Sequence, residues 1–212
     1  MATRLRSPAG TSILFAHGAG APSTSDWMTG YAKKLRKIAP VTTFDYPYMA
    51  AGRKMPDRLP RLVDFHRRRF RRFRSRGRRV VLAGKSMGSR VGCHVAVEET
   101  EAPPFGLVCF GYPLIGVGKK KPRRDQVLLS LQTPVLFVQG TRDPLCPIDE
   151  LERVRGKMRT HSQLLVVEGG NHSLQVARRV LSEQGQTQAD VEELIIAHVA
   201  EFVRWVCRAT DK

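Results

Sequence analysis

Short apolar runs recur along the chain at 12–16, 41–44, 80–83, 106–110, 134–139 and 163–167. Each is continuous rather than alternating, which is the pattern of strands covered on both faces. Between them lie segments whose apolar residues return every three or four positions, the period of an amphipathic helix. These segments are 26–38, a basic stretch within 53–79, 86–99, about 148–158 and about 191–208. In the last of them Asp190 and Glu193 fit a capping box at the start of the helix. Strand–helix alternation of this kind predicts right-handed crossovers and a mostly parallel six-stranded sheet with helices on both faces. No internal repeat or long linker divides the chain, so 1–212 reads as one α/β domain, with 1–11 as a flexible leader.

In open α/β sheets the ligand sits at the carboxyl ends of the strands. The residues just after each run are therefore the ones to inspect. After 12–16 comes His17-Gly18-Ala19-Gly20-Ala21, and after 80–83 comes Gly84-Lys85-Ser86-Met87-Gly88. The run 134–139 leads into Gly140-Thr141-Arg142-Asp143, and 163–167 leads through Glu168 into Gly169-Gly170-Asn171-His172. One edge thus receives a glycine-rich loop, a serine, an aspartate and a histidine.

Gly84–Gly88 matches G-x-S-x-G between a strand and a helix, a sharp turn that lifts a serine hydroxyl clear of the backbone. Serine is a weak nucleophile and needs a base, for which His172 is placed. A carboxylate must hold the imidazole's tautomer and orientation, and Asp143 stands at the preceding strand end. Ser86, Asp143 and His172 are thus the candidate catalytic residues. The Met87 N–H, with Gly18 or Ala19, is the candidate donor set for an oxyanion. His17 reads as a loop-shaping residue, and His66, His94, His161 and His198 read as structural. A P-loop is set aside because its first glycine position holds Arg79. No Cys/His cluster has zinc spacing, and no metal or organic cofactor is expected.

Composition and charge refine the picture. Apolar residues make up 42 % and charged residues 26 %, which excludes a largely disordered chain. No apolar run is long enough to span a membrane and no signal peptide is recognisable. The four cysteines (Cys93, Cys109, Cys146, Cys207) form no C-x-x-C pair and read as reduced thiols, which suggests the cytoplasm, with the nucleus also open. The formal net charge is +17, and the stretch 53–79 alone holds thirteen Lys or Arg against Asp57 and Asp64. Its arginines Arg67, Arg68, Arg69, Arg71, Arg72 and Arg74 could face an anionic partner or simply form a solvated helix face.

On the four strand-end stretches, including Gly84-Lys85-Ser86-Met87-Gly88-Ser89-Arg90 and Gly169-Gly170-Asn171-His172-Ser173-Leu174, the sequence resembles the α/β-hydrolase superfamily over nearly its whole length. It looks most similar to a small group containing testis-expressed hydrolase-like proteins and the hydrolase-like domain of a non-specific-lethal complex subunit. Dienelactone hydrolases look more distant, and they use cysteine where this chain has Ser86. The resemblance implies a three-layer α/β-hydrolase fold whose minimal sheet begins at the superfamily's third strand. It also implies a Ser86–His172–Asp143 triad acting on a small ester or acyl compound. Only 114–133 stands where larger hydrolases place a lid, so no large lid is expected. That stretch carries Lys119-Lys120-Lys121-Pro122-Arg123-Arg124 near the cleft mouth, where positive charge could steer acidic substrates. The alternative is a hydrolase-like interaction module with a vestigial site and a basic surface for nucleic acid or an acidic protein.

Overall fold

A computed structural model describes residues 7–116, 118 and 122–208. Strand β1 (Thr11–Ala16) lies between β2 (Val41–Phe44) and β3 (Arg79–Lys85), and the sheet continues through β4 (Gly106–Phe110), β5 (Val135–Gly140) and β6 (Ser162–Val167). Every pairing is parallel, so the sheet is wholly rather than mostly parallel. Successive side chains on a strand point to opposite faces. Ile13 and Phe15 of β1 therefore join one core, while Leu14 and Ala16 join the other.

Helices α1 (Asp26–Leu35) and α8 (Gln188–Arg208) cover the first face. There Leu35, Ile195, Val199, Phe202 and Val203 pack on Phe15, Val81, Val108 and Val138. Helices α3 (Leu59–Arg74), α4 (Met87–Glu98) and α6 (Ile148–Arg155) cover the second. Leu62, Phe70, Val91, Val95 and Leu151 pack there on Leu14, Leu82, Leu107 and Phe137. Three short helices that the hydrophobic pattern does not announce complete the order: α2 (Pro47–Ala50), α5 (Gln126–Leu129) and α7 (Arg178–Glu183). At four to six residues, each is too short to display a full helical period.

Three local expectations are corrected. The cap of α8 is Thr187, three residues before Asp190. The Thr187 N–H donates to Asp190 Oδ2 at 2.8 Å and the Asp190 N–H donates back to Thr187 Oγ1 at 3.2 Å. This is the reciprocal capping box, displaced by one turn from the Asp190–Glu193 reading. Second, positions 7–11 are not free: Ser7 N–H and Oγ both donate to Ile38 O, and Thr11 opens β1. Third, α1 stops at Leu35 and α6 at Arg155, each about three residues short of its expected end. The described part of 114–133 forms no lid. It makes one antiparallel bridge between Ile115 and Arg123, then α5, and Arg123 pairs with Glu150 at 2.7 Å. Lys119, Lys120 and Lys121 lie outside the described residues.

The chain leaves β1 toward β2 and then crosses back to β3. This reversal is a topological switch point, and it opens a crevice between the carboxyl ends of β1 and β3. The glycine-rich loop and the serine turn occupy those two ends.

Candidate functional site

The turn after β3 is tight because of what surrounds it. Ser86 adopts φ 51° and ψ −114°, a left-handed conformation that costs a non-glycine residue energy. A Cβ on Gly84 would fall 2.2 Å from the Ser89 nitrogen, and one on Gly88 would fall 2.6 Å from the carbonyl oxygens of Ala16 and His17. Both positions therefore need glycine for close approach, and the Gly-x-Ser-x-Gly spacing follows from packing. Ser86 N–H donates to Phe110 O at 2.9 Å, and Ser86 O accepts from Ser89 N–H and Ser89 Oγ at 3.1 and 2.6 Å. These bonds hold the strained residue at the entrance to α4.

Asp143 and His172 arrive from the ends of β5 and β6. His172 Nε2 lies 2.8 Å from Ser86 Oγ, and His172 Nδ1 lies 2.7 Å from Asp143 Oδ2. Asp143 is buried, and its carboxylate also accepts from Gln139 Nε2 at 2.6 Å and from the Leu145 N–H at 2.9 Å. Burial acts to raise its pKa. The hydrogen bond and charge of His172 and the two further donors outweigh that and hold it below the usual carboxylate range. Such a chain of hydroxyl, imidazole and carboxylate can pass a proton from the oxygen to Nε2 while Asp143 stabilises the charged ring. Asn171 shapes the histidine loop, its Oδ1 accepting from the Ser173 and Gln175 N–H groups.

The loop after β1 rests against this turn. A Cβ on Gly18 would touch the Ser86 Cβ at 3.6 Å. His17 is buried, its Nε2 accepts from the Tyr46 N–H at 3.1 Å and its Nδ1 donates to Gly18 O at 2.6 Å. Burial lowers its pKa, so the ring stays neutral and serves the loop's shape. Tyr48 Oη donates to Ala19 O at 3.0 Å. Among the described residues, these bonds use the loop's carbonyls and leave the Gly18, Ala19 and Met87 N–H groups without a protein acceptor.

Among the described residues, His66, His161 and His198 make their contacts with other partners. His66 is buried under Tyr46 Oη at 3.1 Å, His161 packs on Trp205 and His198 Nδ1 bonds Leu194 O. Much of the basic face of α3 is already engaged. Arg67 pairs with Asp64 and Glu98, Arg68 with Asp64, and Arg71 with Glu99, while Arg69 stacks over Phe65. Sequence spacing gave no role to Lys85, Gln139, Tyr48 or Trp27, although all four support the site. Their partners are remote in the chain, apart from Gln139 with Asp143, so only the fold reveals them. A cavity of about 410 Å³ lined by Arg74, Phe105, Thr133 and Trp205 lies at the opposite, amino end of the strands, apart from this site.

The four cysteines are buried and free, with Cys93 Sγ and Cys109 Sγ 3.9 Å apart. No helix among the described residues is long and apolar enough to cross a membrane. The model of an alpha/beta hydrolase domain family matches residues 9–204. Among solved structures, an alpha-beta serine hydrolase homologue from Coxiella burnetii superposes with a TM-score of 0.70 at 16 % identity, covering 91 % of this chain and 86 % of the other. A dienelactone hydrolase from Anabaena variabilis gives 0.65 at 19 % identity, over 90 % and 87 % of the two chains. The RedJ thioesterase of the prodiginine pathway in Streptomyces coelicolor gives 0.65 at 15 % identity, over 91 % and 90 %. With the matching family model spanning nearly all of its length, and a sheet and strand-end arrangement in keeping with it, the chain belongs to the alpha/beta hydrolase domain family.

Proposed function

We propose that this protein is a serine hydrolase that cleaves a small ester or related acyl compound. The observation that carries the reading is the continuous contact Ser86 Oγ–His172 Nε2–His172 Nδ1–Asp143 Oδ2, at 2.8 and 2.7 Å. Ser86 Oγ attacks the acyl carbonyl carbon as its proton passes to His172 Nε2. The tetrahedral oxyanion lies against the Met87 N–H and the Gly18 or Ala19 N–H. Collapse breaks the bond to the leaving group, which takes the proton from Nε2. Water then repeats the sequence on the acyl-enzyme and frees the acid. Esters and thioesters both fit this chemistry, in keeping with fold neighbours described as lipolytic enzymes and as a thioesterase. The affinity to the testis-expressed and non-specific-lethal group rests on the sequence stretches alone.

The test is labelling with a fluorophosphonate probe. Wild type and Cys93→Ala should label, and Ser86→Ala should not. An unreactive wild type that is folded overturns the reading.

A further inference from the structure

We propose that Lys85 is a positioning residue, whose ammonium clamps the His172 carbonyl and so fixes the imidazole between Ser86 and Asp143. The proposal rests on the hydrolase reading and adds to it a requirement for a buried cation. Lys85 is 9 % exposed, although an ammonium is costly to take out of water unless it is paired. It is the last residue of β3, directly before Ser86, and its Nζ donates to His172 O. The cation also lies 5.4 Å from the centre of the Trp27 ring, over its face. Trp27 Nε1 in turn donates to the next carbonyl, Ser173 O, at 2.9 Å.

Two successive carbonyls of the histidine loop are thus held by two side chains that touch each other, one from β3 and one from α1. Gly111 closes the third side, for a Cβ there would fall 2.7 Å from His172 O and 3.3 Å from Lys85 Nζ. His172 stands five residues beyond the end of β6, so the strand does not set its position. The clamp ties it to the element that carries the nucleophile. The titratable groups facing Lys85 are Asp143 and His172. Burial pushes the lysine down to about 8 while the Asp143 carboxylate opposes that shift. The ammonium is therefore held at neutral pH and lost in mildly alkaline solution.

The experiment compares wild type, Lys85→Met, Lys85→Arg and Trp27→Phe by fluorophosphonate labelling rate against pH, thermal midpoint and the low-field proton NMR signal of His172 Nδ1–H. Lys85→Met removes a desolvated charge but leaves His172 O without its donor, and these two effects on stability oppose each other. Lys85→Met that stays folded should label about tenfold to a hundredfold more slowly, with the Nδ1–H signal broadened or lost. Wild-type labelling should fall above about pH 8, and Lys85→Arg should carry that limb to higher pH because guanidinium stays charged. Trp27→Phe, which removes the indole donor, should lie between. Should Lys85→Met fail to fold, the shift of the alkaline limb in Lys85→Arg decides: an unmoved limb overturns the proposal. Lys85→Met that labels at the wild-type rate with the wild-type NMR signal also overturns it. A wild type that does not label removes the hydrolase reading, while the Nδ1–H signal still reports whether Lys85 docks His172.

Discussion

Ser86 Oγ and His172 Nε2 stand 2.8 Å apart although 86 positions separate them in the chain. Parallel pairing brings this about by aligning the ends of β3, β5 and β6 along one edge. The hydroxyl is fixed by a strained turn and the imidazole by a loop, so the pair depends on two different kinds of support.

On the proposed hydrolase reading, removing the carboxylate should cost most of the turnover while leaving the fold in place. In Asp143→Asn the amide can donate to Nδ1, which favours the wrong imidazole tautomer, and kcat should drop by about 10⁴-fold. His172→Ala should fall by a comparable factor, and the double variant by little more, because the group acts as a unit. Steady-state hydrolysis of short aryl esters checks this.

Gly84→Ala and Gly88→Ala should destabilise the protein by about 3 kcal/mol, since each added methyl meets backbone at 2.2 and 2.6 Å. Urea denaturation gives the value. Gly20→Ala, where nothing lies within 4 Å, serves as the control and should change stability by less than about 0.5 kcal/mol.

Acid should weaken the fold well before the carboxylates titrate. His66 is fully buried, and desolvation lowers its pKa from 6.5 to about 3. The unfolded chain therefore takes up a proton that the folded chain refuses. That contribution to stability is complete above about pH 6.5 and is lost as pH falls toward 3, for a total of about 4–5 kcal/mol. Asp143 has the same sign, but its window lies lower, below about pH 3.9. Denaturation midpoints of wild type and His66→Gln across pH 4–7 should diverge in slope, with the variant flatter.

Thr187→Ala should cost about 1 kcal/mol, the usual value for losing a helix N-cap. Asp190→Ala should cost about as much, and the double variant less than the sum, because the two residues bond each other. Thermal melts of the three variants test this.

The six strands were legible because continuous apolar runs are local, and so was the delivery of Ser86, Asp143 and His172 to one edge. Other features were not, for reasons of distance. Arg67 and Arg71 find Glu98 and Glu99 at the end of α4, about thirty residues away, so the run of arginines looked more open than it is. The cap at Thr187 was masked by Asp190 and Glu193, which satisfy the same pattern one turn later. The contact of Lys85 with His172 joins two strand ends that only the sheet brings together. Nothing along the chain marks it.

Helix α8 supplies Ile195, Val199, Phe202 and Val203 to the face over β4, β5 and β6. During synthesis those strands emerge before α8, the helix that covers them on that side. A nascent chain stalled near position 190 would present a broad greasy surface to water and to chaperones. Gln188, the first residue of α8, accepts from the Val176 N–H and donates to Leu174 O, so the loop that carries His172 should gain its fixed shape only once α8 docks.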